Sequence, residues 1–148
     1  MSKLGRYSAQ RKKVQAVTAS YTVTVADCGT IFIVDPTTTT NLTMPSPSAA
    51  GAGWWCKVIL AESDGAADTD MDQKVNISFD GERLYGRTFG ADGDTGTIAA
   101  AASSHDWINC SVDSTSGDSI DIVTDGTSWF AEVLAFDAST ITFGTGAA

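Results

Sequence analysis

The chain has 148 residues, 43% of them apolar, and carries 18 acidic against 9 basic residues for a formal charge of −9. That length suits one domain, and the apolar share supplies a core, which excludes a wholly disordered chain. The apolar residues come in short runs, none near the ~20 needed to cross a membrane, and an acidic body is a poor partner for nucleic acid, whose phosphates call for a basic face.

The charge is unevenly placed. Lys3, Arg6, Arg11, Lys12 and Lys13 put five of the nine basic residues in the first thirteen positions, with no acid among them. From Val14 onward, four basic residues face eighteen acidic ones. Residues 1–15 have no apolar period and read as an extended basic arm, with residues 16–148 as the folded domain. No apolar segment follows the arm's charges, so it is not a secretory signal, and synthesis in a cytoplasm is expected. Alone, such an arm has nothing to bury. Lys3, Leu4, Arg6, Tyr7, Arg11, Lys12 and Lys13 are therefore candidate attachment residues.

Beyond the arm the apolar period becomes two. Tyr21, Val23 and Val25 alternate with threonines as in a strand, Ala26 to Gly29 read as a turn, and Ile31 to Val34 as a more buried strand. Thr37 to Thr40 suit an exposed segment, Leu42 and Met44 share a face, and Pro45-Ser46-Pro47 interrupts pairing. Ser48 to Gly53 form a small-residue loop before a strongly apolar strand, Trp54 to Leu60. Ala61 to Asp72 make an acidic loop. Val75, Ile77 and Phe79 alternate, Asp80-Gly81 is a turn dipeptide, and Leu84-Tyr85 is a short strand. A Gly/Asp loop, Ala91 to Thr97, precedes Ile98 to Ser104, the one stretch that could form a helical turn. Ile108, Cys110 and Val112 alternate. Ile120 and Ile122, the turn Asp125-Gly126, and Trp129 to Phe136 make the clearest hairpin, and Ile141 with Phe143 adds a last short strand. Eight to ten short strands at this spacing predict an all-β fold: a single antiparallel β-sandwich, jelly-roll-like or a related barrel.

Catalytic chemistry finds little support. His105 is the only histidine, and its neighbours Ser103, Ser104 and Asp106 do not form a relay by adjacency, because successive strand residues point to opposite faces. The aspartates lie mostly in Gly/Ser/Thr turns, and no phosphate-binding loop occurs. Asp64, Asp68, Asp70 and Asp72 are weak calcium candidates. An EF-hand counted from Asp68 would need Gly and Glu where Gln73 and Phe79 stand, which leaves only a looser site between loops. Cys28, Cys56 and Cys110 are odd in number and lack paired spacing, so they read as buried thiols rather than as disulfide or zinc ligands. No cofactor and no enzymatic activity are expected. Trp54-Trp55 puts one ring on each face of its strand, so one of the two is a candidate for an intersubunit contact, and Trp54, Trp55 and Trp107 are candidates for ligand stacking.

Two segments carry a family likeness. Tyr21 to Asp35 carries T-x-x-D-x-G-x-φ-φ-φ-D with one further apolar residue before the final Asp, and leads into Leu42-Thr-Met-Pro-Ser-Pro47. Gly117 to Phe130 has the form G-D-x-φ-x-φ-x-T-D-G-T-x-W. Together, over Val17 to Val133, they resemble a β-sandwich module of tailed-phage virions, found in capsid decoration (cement) proteins and in some fibre and tail proteins. Cys28 and Thr30 depart from the pattern, which has a small or polar residue and a Lys there. The resemblance implies a structural virion protein, a homotrimer on the outer surface of the phage head that stabilises the lattice of the major capsid protein. The alternative it allows is a head-fibre module that binds a receptor or host-surface glycan.

Overall fold

The computed structural model describes residues 12–62, 70–79, 83–90, 98–99 and 105–147. Within these, twelve strands form two packed sheets. The first six are β1 (Lys13–Val17), β2 (Tyr21–Thr22), β3 (Thr30–Val34), β4 (Thr40–Thr43), β5 (Trp55–Leu60) and β6 (Val75–Ser78). Then follow β7 (Leu84–Gly90), β8 (Ile98–Ala99), β9 (Trp107–Cys110), β10 (Ser119–Thr124), β11 (Trp129–Ala135) and β12 (Ile141–Gly144). One sheet has seven strands in the order β1-β3-β5-β10-β11-β7-β8, and the other has five in the order β12-β9-β6-β4-β2. The expected all-β sandwich is present.

The expected wholly antiparallel pairing holds for only half of it. Five of the ten strand pairings among the described residues are parallel: β1 with β3, β3 with β5, β2 with β4, β4 with β6, and β7 with β11. The first six strands alternate between the sheets, odd-numbered in one and even-numbered in the other. Each return to a sheet lays the new strand beside the last in the same direction, so the chain winds as a two-sheet coil. Antiparallel partners close it, with β10 against β5 and β9 against β6. The hairpin expected at Asp125-Gly126 forms, pairing Thr124 with Trp129 through Ser119 with Leu134. Gly126 sits there at a positive φ of 90°, while Asp125 Oδ1 accepts hydrogen bonds from the amides of Thr127 and Ser128, both at 2.8 Å.

Other local expectations shift. The strand at Tyr21 ends at Thr22 and gives way to a 3-10 turn, Val25–Asp27. Pro47–Ala50 form a single helical turn inside the predicted loop, capped by the Ser46 hydroxyl, which accepts from Ala49 N. Ile98–Ala99, the start of the stretch that could form a helical turn, pair with β7 as a strand. The rest of that stretch, 100–104, and the turn at Asp80-Gly81 lie outside the described residues. Lys13 to Gln15, assigned to the arm, form most of β1.

The core fills the space between the sheets. Phe32, Val58, Ile120, Trp129 and Val133 come from one sheet, and Leu42, Ile77, Ile108 and Ile141 from the other, all essentially inaccessible. Trp129 is its centre. The Trp54 ring meets it edge-on, with centroids 5.5 Å apart, and Phe79 lies tilted at 5.7 Å. Cys56 and Cys110 are buried free thiols, as expected, and burial pushes both well above the ordinary thiol range. Cys28 is exposed instead. At Gly86 the sheets approach closely, because Phe143 of β12 occupies the space a Cβ would need and the Ala131 carbonyl lies 2.9 Å from that point. Gly86→Ala is expected to destabilise the fold by about 1–3 kcal/mol, measured by denaturant unfolding. An unchanged midpoint would mean that the Phe143 ring yields without cost.

Candidate functional site

Two features stand out: the joint where the arm meets the body, and the outer face of the seven-stranded sheet. The joint is built by the segment that carries the first motif. Asp27 is only 5% exposed, and its carboxylate is surrounded by donors. Lys13 Nζ donates to Oδ1 at 2.8 Å, and the Thr24 amide and hydroxyl donate to Oδ2 at 2.9 and 2.8 Å. The Tyr21 hydroxyl adds a longer bond at 3.3 Å. Burial pushes the Asp27 carboxyl up, but hydrogen bonds from Lys13 and Thr24 outweigh it and hold it down at about 2. Gly29, at a positive φ of 78°, completes the turn and returns the chain into β3.

Lys13 therefore has a structural role. It was a candidate for attachment, but it is the first residue of edge strand β1, and its ammonium is engaged with Asp27. Lys12 is exposed. Lys3, Leu4, Arg6, Tyr7 and Arg11 lie outside the described residues.

The sheet face follows from the pleat. Val17, Phe32, Val58, Ile122 and Ala131 point into the sandwich, so their neighbours point out. Pairing registers order these outward residues in three rows across the strands. One row runs Trp55, Val123, Phe130, Tyr85. The next runs Val14, Ile31, Lys57, Asp121, Glu132, Arg87, and the third runs Ala16, Ile33, Ile59, Ser119, Leu134, Phe89. Two rows are thus mostly apolar, with a row holding two positive and two negative residues between them. Leu134 and Phe136 remain 60% and 61% exposed.

In the charged row, Lys57 pairs with Asp121 at 2.9 Å and Arg87 approaches Glu132 at 3.9 Å. Exposed pairs like these add little stability; their effect is to leave the face with no net charge. Tyr85 and Phe130 stack with centroids 5.5 Å apart, and the Arg87 guanidinium lies 5.4 Å from the Phe89 ring centre. A concavity of about 580 Å³ opens here, lined by Trp55, Tyr85, Phe130, Arg87, Asp121 and Glu132 among others.

The three candidate tryptophans do not form one platform. Trp54 is 3% exposed, with its indole N–H donating to the Val25 carbonyl at 2.9 Å, so it belongs to the core. Trp55 is the ring of that pair that reaches the surface, at 39% exposure. Trp107 is half-buried on the other sheet, beside Ser78 and Gly144 in the register. Two of the four calcium candidates are among the described residues. Asp64 and Asp68 lie outside the described residues, Asp70 bridges to Thr115, and the Asp72 amide donates to Glu62 Oε2 at 3.1 Å. Among the described residues no three metal-binding side chains converge. His105 is half-buried ahead of β9, and no helix of the described residues is long and apolar enough to cross a membrane.

Sequence reasoning missed Tyr85, Phe89, Val123, Phe130, Leu134 and Phe136. The signal was present in Trp129 to Phe136, where both alternating sets contain large apolar residues, as in a strand covered on both sides.

The joint gives a pH signature. Because the folded Asp27 carboxyl sits below its ordinary 3.8, its stabilisation is complete near neutrality and is lost as pH falls from about 4 towards 2. Asp27→Asn is expected to cost about 1–3 kcal/mol at neutral pH, with the gap to wild type closing over that acidic range. Amide exchange in β1 should accelerate in the variant. A constant gap from pH 7 to pH 2 would contradict this assignment. No protein-family model matches the chain, and no match was found among curated proteins.

Proposed function

We propose that this chain is a structural virion protein, a decoration protein that binds the outer surface of a phage head as a trimer and stabilises the lattice of the major capsid protein. The carrying observation is the joint: a strongly basic arm leads into an edge strand whose first residue is locked by a buried carboxylate. A tether of this kind transmits load only if its base is fixed to a rigid body, and the Lys13–Asp27 bond together with the β1–β3 ladder fixes it. The acidic body keeps the protein soluble and away from nucleic acid. The arm orders on contact with the capsid or a sister subunit, coupling folding to binding. Many equivalent arms on one shell add by avidity, so each contact can be weak. Binding across capsomer junctions then favours the assembled shell by mass action.

A second reading has its own support. The concavity of about 580 Å³, with the rings of Trp55, Tyr85 and Phe130 beside Asp121, Glu132 and Arg87, offers stacking surfaces and hydrogen-bonding groups that suit a glycan. It would make the chain a receptor- or carbohydrate-binding virion module. Glycan-array binding lost on Trp55→Ala would favour it over decoration.

The test of the first reading is co-sedimentation with capsids. Deleting residues 1–11 should leave circular dichroism and the unfolding midpoint unchanged but abolish capsid binding. Deletion through Lys13 should also destabilise the body, because it removes the partner of Asp27. Charge reversal at Lys3, Arg6, Arg11 and Lys12 together should weaken binding and flatten its salt dependence. Normal occupancy by the 1–11 deletion would overturn the arm's role.

A further inference from the structure

We infer that the outer face of the seven-stranded sheet is where copies of this chain meet. The inference deepens the proposal above and rests on its premise that the protein works as an assembly of copies. Isolated apolar side chains on a surface need no explanation, but a continuous field of them does. Here the field spans six adjacent strands, β1 through β7 in sheet order. Strand spacing and rise make it roughly 29 Å by 20 Å, of the same order as the ~800 Å² each partner buries in a stable interface.

Charge selects the occupant. From Val14 onward the chain has eighteen acidic residues against four basic ones, so two copies repel each other over most approaches. The exception is this face, where Lys57 and Arg87, half of those basic residues, stand in one row with Asp121 and Glu132. A basic partner would find stronger attraction elsewhere on the body, whereas an identical acidic body finds its least repulsive approach here. The row reads plus, minus, minus, plus. Its charges sum to zero, so the same face of a sister copy approaches it without net repulsion. Aliphatic Leu134, Ile33 and Ile59 extend the field beyond the aromatic concavity, which fits a protein surface better than a sugar.

Sedimentation velocity on the full chain tests this. Wild type should be oligomeric, and Phe130→Glu with Leu134→Glu should release monomers whose far-ultraviolet circular dichroism is unchanged, since both side chains are exposed. The charge row has a test of its own. Arg87→Glu and Glu132→Arg should each weaken self-association roughly tenfold or more, while an equimolar mixture of the two variants should associate again, pairing a net-acidic face with a net-basic one. A monomeric wild type, oligomers that survive Phe130→Glu/Leu134→Glu, or no recovery in the mixture would each overturn the inference. These outcomes are separable from the decoration reading, which fails instead if wild type does not co-sediment with capsids.

Discussion

A strand in a two-layer sandwich can bury only alternate residues against the opposing layer, and every other constraint on this molecule follows from how its sequence uses the remaining positions. In the five-stranded sheet those outward positions hold Asn41, Thr43, Asn76, Ser78, Asn109 and Thr142 with one half-buried ring, Trp107; Asn76, Ser78 and Asn109 are buried there, and Asn76 Nδ2 donates to Asn41 Oδ1 at 3.1 Å. In the seven-stranded sheet they hold Trp55, Val123, Phe130, Leu134 and Phe89. The two outer faces therefore have different chemistry although the inner faces are equally apolar. Such asymmetry costs solubility in a free monomer and loses that cost when the apolar side is covered.

The joint at Asp27 solves a different problem. Strand β1 lies at a sheet edge, pairs only with β3 among the described strands, and contributes Val17 to the core. Ladder bonds and one buried valine hold an edge strand weakly. The carboxylate of Asp27 adds a second point of attachment at the other end of β1, where the basic segment begins. Its donors come from three places in sequence, Lys13, Tyr21 and Thr24, so the same group also fixes the turn that carries the chain from β2 to β3. Residues of the two sequence motifs thus serve as structural fasteners: Asp27 here, Gly29 at positive φ, and Asp118, which accepts from the amides of Thr115 and Phe136 at 2.9 and 2.8 Å.

Much of this was legible in the residues. Period-two alternation located most of the strands, and Asp125-Gly126 located the hairpin. Pairing direction was not legible, because a strand's alternation is identical whether its neighbour runs parallel or antiparallel. The coil of β1 to β6 exists only once consecutive strands are assigned to different sheets, and no local signal makes that assignment. The end of β2 was misread because Thr24 and Asp27 look like exposed strand and turn residues until the carboxylate is seen to cap the 3-10 turn. The apolar outer face was half legible. Trp54-Trp55 announced that one ring must face outward, but the neighbours of Trp55 come from positions thirty or more residues away in sequence, and only the register brings Phe130 and Tyr85 beside it.

The central claim, that the outward apolar field is covered by sister copies, is most directly read by hydroxyl-radical footprinting of the full chain at its working concentration. Trp55, Phe130, Leu134 and Phe136 should be protected relative to the monomeric Phe130→Glu/Leu134→Glu variant at the positions the two share, while Trp107, on the opposite sheet, labels equally in both. Full labelling of Trp55 and Phe136 in the wild-type protein, matching the exposure of the isolated chain, would contradict it.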